Sequence, residues 1–264
     1  MNGPMNSYDI LARFYDLDQG YISSQEIAFF AFLGESYGYQ VLELGCGTGR
    51  LTVPLAQEGF EVLAVDNSFE MIRIAQQKAR EVLGSKSARE SIRWANMDVL
   101  SLGIAQEFDI VIAANSLLLE LEHGHAQGAG LTQACSVLGS RGCAVIEILN
   151  PRTAKLDHLD GWTRTVGTYK LGKDMVRVDA TTSVDFESYR ISVHLTYTVF
   201  RPNVVGCIVH SAQVVQHYLD VKELYPLLAQ HGLCVDKAYG NYDMSTFDPD
   251  LSPKILFIAR RIGD

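Results

Sequence analysis

The sequence predicts an α/β protein: a Rossmann-like, seven-stranded, mostly parallel sheet with helices on both faces, plus an antiparallel β insertion between the fifth strand and the last helix. Two observations predict this class. Up to residue 150, short apolar runs alternate with helical segments, which is typical of a parallel sheet covered on both faces. From residue 162 to residue 218 no helical period is found, and β-rich stretches follow one another across short turns, which favours antiparallel hairpins.

The part before residue 150 is predicted to contain two N-terminal helices and then five strands with helices between them. Apolar residues at helical spacing, such as Ile10, Leu11 and Phe14, indicate the first helix. We predict helices at 7–17, 22–36, 50–58, 69–83 and 126–138. We predict strands at 40–44, 60–66, 91–97, 108–114 and 142–149.

Four β stretches make up the predicted insertion, and the α/β alternation resumes after them. The stretches are 162–170, 175–187, 190–200 and 204–218, and they are followed by a helix at 221–231 and strands at 233–239 and 254–261. We therefore divide the chain into two parts. We expect residues 1–150 and 219–264 to form a Rossmann-like domain that begins with the N-terminal helices, 1–38. Residues 151–218 form the insertion, which is expected to serve as a substrate cap or a dimer contact.

Composition excludes several classes of function. Hydrophobic residues make up 47% of the chain and charged residues 20%, so a substantial core is expected. The net charge of −9 argues against a nucleic-acid partner. The five cysteines form no C-x-x-C pair, so neither a disulfide framework nor a metal site is predicted. No apolar run approaches the ~18 residues of a membrane span, and the N-terminus has no signal-peptide pattern, so we expect a cytoplasmic protein.

A glycine-rich turn follows the first predicted strand, where Gly45, Gly47 and Gly49 alternate with other residues. Such glycines let the backbone approach a ligand, and the helix that follows offers unpaired N–H groups. An ordinary strand-to-helix turn is the alternative, but it does not need three glycines. A dinucleotide site would have its third glycine at the position of Arg50, so the spacing disfavours NAD.

With its preceding strand, Val41-Leu-Glu-Leu-Gly-Cys-Gly-Thr-Gly-Arg50 resembles motif I of the class I S-adenosylmethionine-dependent methyltransferases. The resemblance implies that S-adenosylmethionine is the cofactor. It also implies that Glu43 lies beneath the loop and that the backbone around Gly45, Cys46 and Gly47 holds the amino-acid part of the cofactor.

A carboxylate, Asp66, ends the second predicted strand. It can accept hydrogen bonds from both hydroxyls of a ribose, but NAD enzymes use the same device, so this residue alone does not choose the cofactor. The run Asp66-Asn-Ser-Phe-Glu-Met71 resembles the D-x-S-x-x-M of the same family. The resemblance implies that Asn67 and Met71 flank the adenine, although Met71 could also serve only helix packing.

The third and fourth predicted strands also end in polar residues. The segment after the third strand resembles the family's G-D ending, which implies that Asp98 binds the adenine amino group and that the backbone N–H of Val99 binds the ring. In an alternative register Asn96 makes this contact. The fourth strand ends at Asn115 and Ser116, which the resemblance places next to the sulfonium.

Tyr15-Asp16 resembles the Tyr-Asp pair of small-molecule methyltransferases similar to the aminosugar N-methyltransferases and the glycine N-methyltransferase group. In these families an N-terminal helix closes over the cofactor and a tyrosine reaches toward the reacting centre, which implies that residues 1–38 act as a lid. Tyr15 could instead be a packing residue. The candidate catalytic residues are therefore Tyr15 and His123, which follows the fourth strand.

The resemblance implies methyl transfer to an N, O or C atom of a small-molecule acceptor by in-line displacement. The apolar face expected on the β insertion can be covered by the rest of the domain, by a bound substrate or by a second subunit, and the last of these would give a homodimer. Three alternatives remain at this stage. They are a non-methylating enzyme that cyclises the same cofactor, an aminopropyltransferase on the same fold, and a catalytically silent cofactor-binding protein.

Overall fold

Strands and helices alternate through the first half of the chain and return at its end. The structure, a computed structural model, describes residues 7–263. The helices are α1 (Ser7–Tyr15), α2 (Ser24–Tyr37), α3 (Thr52–Gln57), α4 (Phe69–Leu83), α5 (Ser85–Ser91), α6 (Leu117–Glu120), α7 (His125–Ser136), α8 (Leu156–Leu159) and α9 (Val221–Gln230). The strands are β1 (Gln40–Leu44), β2 (Glu61–Asp66), β3 (Ile92–Asn96), β4 (Phe108–Ala113), β5 (Leu138–Leu149), β6 (Thr163–Leu171), β7 (Asp174–Asp185), β8 (Arg190–Phe200), β9 (Ile208–His217), β10 (Leu233–Tyr239) and β11 (Lys254–Arg261).

Seven strands form the main sheet in the order β10-β11-β5-β4-β1-β2-β3. Strands β1 to β5 pair in parallel, and β11 pairs antiparallel with both β5 and β10. The predicted Rossmann-like, mostly parallel sheet is confirmed. Because β1 has β2 on one side and β4 on the other, the strand order reverses there, and ligands of such sheets bind beyond the carboxyl ends of the strands at this point.

Two apolar clusters cover the two faces of the main sheet. Successive residues of β1 alternate between them: Val41 belongs to the first cluster and Leu42 to the second. This alternation is the period of two that a strand requires. Phe30 of α2 lies in the first cluster and Leu228 of α9 in the second, so helices bury the sheet on both sides.

A second sheet contains β6, β7, β8 and β9 in that order, with all neighbours antiparallel. The predicted insertion between β5 and the last helix is therefore confirmed. Its apolar face packs against α1, where the ring of Phe14 stacks on Tyr197 with centroids 4.4 Å apart. Helix α1 of the same chain thus covers the apolar face of the insertion.

The elements depart from the prediction at a few places. Helix α5 was not predicted because its sequence is polar and buries only Ala88. Helix α2 begins at Ser24 because the side chain of Ser23 accepts a hydrogen bond from the N–H of Glu26 and caps the helix. The part of the predicted lid that falls on residues 1–6 lies outside the described residues. Within residues 7–263, no helix combines the length and the apolar character that a membrane span needs.

Candidate functional site

A cavity of about 300 Å³ lies at the carboxyl ends of β1, β2, β3 and β4. Three other parts of the chain complete its wall. Helix α1 contributes Tyr8 and Tyr15, α6 contributes Glu120, and β9 of the insertion contributes the run 213–215. The cavity is therefore enclosed by the sheet edge on one side and by the N-terminal helix and the insertion on the other.

The glycine turn after β1 forms the floor of the cavity. Gly45 and Gly47 both line it, with left-handed φ angles of +65° and +53° that favour glycine. A Cβ on Gly45 would lie 2.7 Å from Leu117 Cδ1, whereas a Cβ on Gly47 would meet nothing within 4 Å. Gly45 thus allows close packing, while Gly47 leaves the backbone open to a ligand. Cys46 between them is buried and does not line the cavity.

Asp66, at the end of β2, faces the glycine turn. Its Oδ2 accepts a hydrogen bond of 2.8 Å from the N–H of Gly47, and its Oδ1 accepts one of 2.8 Å from the N–H of Ser68. Burial raises the pKa of Asp66, and these backbone hydrogen bonds oppose the rise. A carboxylate has about four acceptor sites, so the backbone holds this group in place while it can still accept a hydrogen bond from a ligand.

Glu43 lies behind the turn, away from the cavity. Thr52 Oγ1 donates a hydrogen bond of 2.5 Å to Glu43 Oε2, and both side chains are buried. Burial raises the pKa of Glu43 to about 7. Its hydrogen bond joins the end of β1 to the start of α3, so its contribution to the site is to fix the turn from below.

The residues predicted to hold an adenine lie together. Asn67, Met71, Asp98 and Val99 all line the cavity. Asn96, the alternative to Asp98, is not among the lining residues; its Nδ2 donates a hydrogen bond of 2.9 Å to the carbonyl of Asp66. The geometry therefore favours the register in which Asp98 faces the ligand.

Asn115, which follows β4, is held by a buried carboxylate. Its φ of +51° lies in the left-handed region, which is uncommon for a residue with a side chain. Glu147 of β5 accepts hydrogen bonds from the N–H of Asn115 at 2.8 Å, from the hydroxyl of Tyr242 at 2.7 Å and from Lys254 Nζ at 2.6 Å. Burial disfavours the ionised form, but Lys254 and the hydrogen bonds outweigh it and lower the pKa of Glu147.

Tyr15 lies at the cavity wall beside Asn115, whose Nδ2 donates a hydrogen bond of 3.0 Å to the tyrosine oxygen. Burial raises the pKa of Tyr15 to about 12. The hydroxyl is therefore neutral near pH 7, so it can donate a hydrogen bond but is not itself ionised to act as a base.

Polar contacts along α1 and just after it fix the helix over the cavity. Ser68 Oγ donates to Asp9 Oδ1 at 2.6 Å. Asp16 accepts a hydrogen bond of 2.6 Å from Thr48 Oγ1 and forms an ion pair of 2.8 Å with Lys78. Thr48 belongs to the glycine turn, and Ser68 caps α4, so α1 is tied to both ligand-facing loops.

Besides Glu43 and Cys46, two more of the predicted site residues do not line the cavity. His123 is exposed, and its ring stacks on Tyr189 of the insertion with centroids 5.2 Å apart. Ser116 Oγ accepts a hydrogen bond of 2.9 Å from the N–H of Leu149, so its side chain serves β5. Neither is among the residues that line the cavity.

Several lining residues were not predicted, among them Tyr8, Glu120 and Gln213. The only sequence signal for Glu120 is a single charge within the apolar run Leu117-Leu-Leu-Glu-Leu121. Gln213 reaches the site through the packing of the insertion, which no local pattern reveals. Among residues 7–263, no group of three or more His, Cys, Asp or Glu side chains is arranged to hold a metal ion.

Comparison with known proteins gives sequence matches to part of the chain and structural matches to nearly all of it. Residues 41–142 match a family model described as a methyltransferase domain. The magnesium-protoporphyrin O-methyltransferase of Rhodobacter capsulatus is 33% identical over 120 residues, which cover 45% of this chain and 48% of that protein. The chain thus spans about half or less of the length of the curated relatives that it matches.

Two solved structures are similar over nearly the whole chain. The CcbJ methyltransferase from Streptomyces caelestis has a TM-score of 0.78 at 23% identity and covers 98% of this chain and 99% of its own. SAM-bound CalS10, an amino pentose methyltransferase from Micromonospora echinaspora, has a TM-score of 0.68 at 18% identity and covers 99% of both chains. At these identities the likeness establishes the fold. Residues 41–142 are thus similar in sequence to methyltransferase domains, and the whole chain has the fold of these two solved methyltransferases.

Proposed function

We propose that this protein transfers a methyl group from S-adenosylmethionine to an N, O or C atom of a small-molecule acceptor. The observation that carries the proposal is the single cavity in which the open backbone of Gly47, the carboxylate of Asp66 and the polar edge at Asp98 all face inward. They follow β1, β2 and β3 in turn, so one ligand that lies along the sheet edge can contact all three.

The residues present fit this cofactor. The open side of Gly47 gives room for its amino-acid part, and the carboxylate of Asp66 can accept a hydrogen bond from the ribose hydroxyls. Asn67 and Met71 would flank the adenine, and Asp98 with the N–H of Val99 would bind its polar edge. S-adenosyl-L-homocysteine, the demethylated product, should bind in the same way.

When bound, the cofactor supplies a methyl group activated by a positively charged sulfur. The protein then has to align the acceptor and exclude water. Tyr15 and Asn115 are tied to each other at the end of β4, and α1 with the run 213–215 of β9 covers the cavity. This cover supports a role for residues 151–218 as a cap over the acceptor, because β9 forms part of the wall.

Calorimetric titration with S-adenosylhomocysteine and with NADH tests the proposal. We expect binding of the first and none of the second. Asp66→Ala should weaken the binding of S-adenosylhomocysteine by tens- to several-hundred-fold, because about 2–4 kcal/mol of charge-assisted hydrogen bonding is lost. Glu81→Ala, an exposed change on α4, is the matched control and should bind normally. Binding of NADH alone, or full affinity in a folded Asp66→Ala variant, would contradict the proposal.

We further propose that the protein works in a reducing compartment such as the cytoplasm. This rests on the odd number of cysteines, five, of which none forms a C-x-x-C pair. Titration of thiols after unfolding the natively purified protein without a reductant should find all five. A lower number that reduction restores would contradict the proposal.

A further inference from the structure

We propose that the carboxylate of Glu120 binds a cationic amine at the methyl-transfer end of the cavity and takes its proton, so that the acceptor is an amine. This inference rests on the proposed function and names a substrate class and a residue for it.

Glu120 lies where the acceptor would approach. It ends α6, the short helix that follows β4, and it lines the cavity together with Asn115 and with Tyr8 and Tyr15 of α1. The hydroxyl of Tyr8 donates a hydrogen bond of 2.6 Å to Glu120 Oε1. The carboxylate is thus oriented by the lid helix and sits on the wall that α1 and α6 share.

The charges that line the cavity are of one sign. Asp66, Asp98 and Glu120 line it, and no Lys, Arg or His is found among the lining residues within 7–263. An acceptor with a carboxylate or phosphate near the reacting atom would meet only like charge here. A cation is favoured instead, because opposite charges attract strongly where water is partly excluded.

Glu120 differs from the other two carboxylates in its partners. Asp66 accepts backbone N–H groups on both oxygens, and Asp98 Oδ1 accepts the N–H of Leu100. Glu120 receives the hydroxyl of Tyr8 on Oε1 and has no other hydrogen bond or ion pair in the described part of the chain. Its Oε2 is therefore available, and a half-buried carboxylate without a cation gains most from binding one.

The ionisation of Glu120 suits proton transfer near neutral pH. Burial raises the pKa of Glu120 to about 7, the charge of Asp66 raises it further, and the hydrogen bond from Tyr8 opposes the rise. From β9 only Gln213 and two valines face the cavity, so that strand contributes no charge. The group can thus be ionised to hold an ammonium and can also retain a proton, as a general base must.

The proposed proton transfer and methyl transfer need no reactant other than the amine and S-adenosylmethionine. Glu120 takes a proton from the ammonium of the acceptor, which leaves a neutral amine with a lone pair. The nitrogen forms a bond to the methyl carbon while the carbon–sulfur bond breaks and its electrons go to sulfur. The products are the N-methylated ammonium, S-adenosylhomocysteine and one proton, which Glu120 then releases to solvent.

Sinefungin allows a test without knowledge of the acceptor. It resembles S-adenosylhomocysteine but carries an amine where the transferred methyl group would be. The acceptor nitrogen must come within roughly 3–3.5 Å of that methyl carbon, so a residue that binds the acceptor ammonium also lies within reach of the sinefungin ammonium. We would measure the affinities of sinefungin and S-adenosylhomocysteine by calorimetry in the wild type and in Glu120→Gln.

The wild type should prefer sinefungin, and Glu120→Gln should reduce this preference by roughly tenfold or more, the range of one charge-assisted hydrogen bond. In the wild type the preference should rise between about pH 6 and pH 8, as Glu120 ionises. Tyr8→Phe should move this rise to higher pH, because Tyr8 lowers the pKa of Glu120. Glu122→Gln, a nearby exposed change, should leave the preference and its pH dependence as in the wild type.

The outcomes separate the two proposals. If the wild type binds S-adenosylhomocysteine and Glu120→Gln keeps the full preference for sinefungin, the role of Glu120 is refuted while the proposed function stands. A preference that does not change with pH in the wild type also refutes it. If neither compound binds to the folded wild type, the proposed function fails, and the inference fails with it.

Discussion

Replacing Glu147 should both destabilise the protein and weaken its cofactor site. Glu147→Ala leaves the hydroxyl of Tyr242, the ammonium of Lys254 and the N–H of Asn115 without their acceptor. Breaking one side of a buried ion pair costs about 3–5 kcal/mol. The side chain of Lys254 is 28% exposed and can recover some hydration, so we expect a loss of about 3 kcal/mol in the free energy of unfolding.

Urea unfolding at several pH values checks this magnitude and its origin. Glu147→Gln should cost less than Glu147→Ala, because the amide oxygen still accepts a hydrogen bond. Since folding lowers the pKa of Glu147, its stabilisation is fully present above its unfolded pKa of about 4.3. It is lost as the pH falls through the lower pKa of the folded state. The difference between wild type and variant should therefore be constant from pH 6 to pH 8 and shrink in acid.

The same variants test the link to the site. Because Glu147 holds Asn115 in its left-handed conformation, the affinity for S-adenosylhomocysteine should fall in a Glu147→Ala protein that is still folded. The reasoning would be refuted by a Glu147→Ala variant that is as stable as the wild type, or by a difference in stability that grows on acidification. Glu107→Ala, an exposed change between β3 and β4, should match the wild type in both measurements.

Two further changes separate the fold from the cavity. Gly47→Ala should lower the free energy of unfolding by only about 1 kcal/mol, because residue 47 has a left-handed φ. It should weaken the binding of S-adenosylhomocysteine at least tenfold in calorimetry, because the new Cβ would occupy open space on the cavity floor. Unchanged affinity would contradict this. Phe14→Ala removes a fully buried ring stacked on Tyr197 and should cost about 3 kcal/mol. Hydrogen exchange should then show that α1 loses protection, and an α1 that stays protected would contradict the packing.

The main sheet could be predicted because most of its strands are short apolar runs that alternate with helical segments. β1, β2 and β4 lie within one residue of their predicted bounds. β5 begins at Leu138, four residues before the prediction, because Leu138 still pairs with Phe108 across an irregularity in the ladder. Helix α5 was not predicted because its polar sequence has no apolar residues that repeat at helical spacing. Strand pairing sets the start of β5, and the solvent exposure of its polar side chains characterises α5. Neither property can be deduced from the local sequence.

The residues of the candidate site also differ in whether the local sequence predicts their position. Asp66, Asp98 and Asn115 could be placed from the sequence, because each lies at the end of a parallel strand or two residues beyond it, and such ends meet at one edge of a sheet. Glu120 and Gln213 could not, since they reach the cavity only when α6 and β9 pack against α1. His123 follows the fourth strand as a site residue should, but its ring packs on Tyr189 instead of turning into the cavity. Its role as a catalytic residue stays a prediction that this placement does not favour.

Helix α1 connects the two halves of the cavity. Its Phe14 packs on Tyr197 of the insertion, while Asp16, just beyond its end, bonds Thr48 of the glycine turn. A change at Tyr197, which is buried, is therefore expected to act on the glycine turn through α1 as well as on the insertion itself. A change at Arg164, which is exposed over Trp162, has no such path. Of the two positions on the insertion, Arg164 is thus the one whose substitution can affect acceptor binding or association while leaving cofactor affinity unchanged.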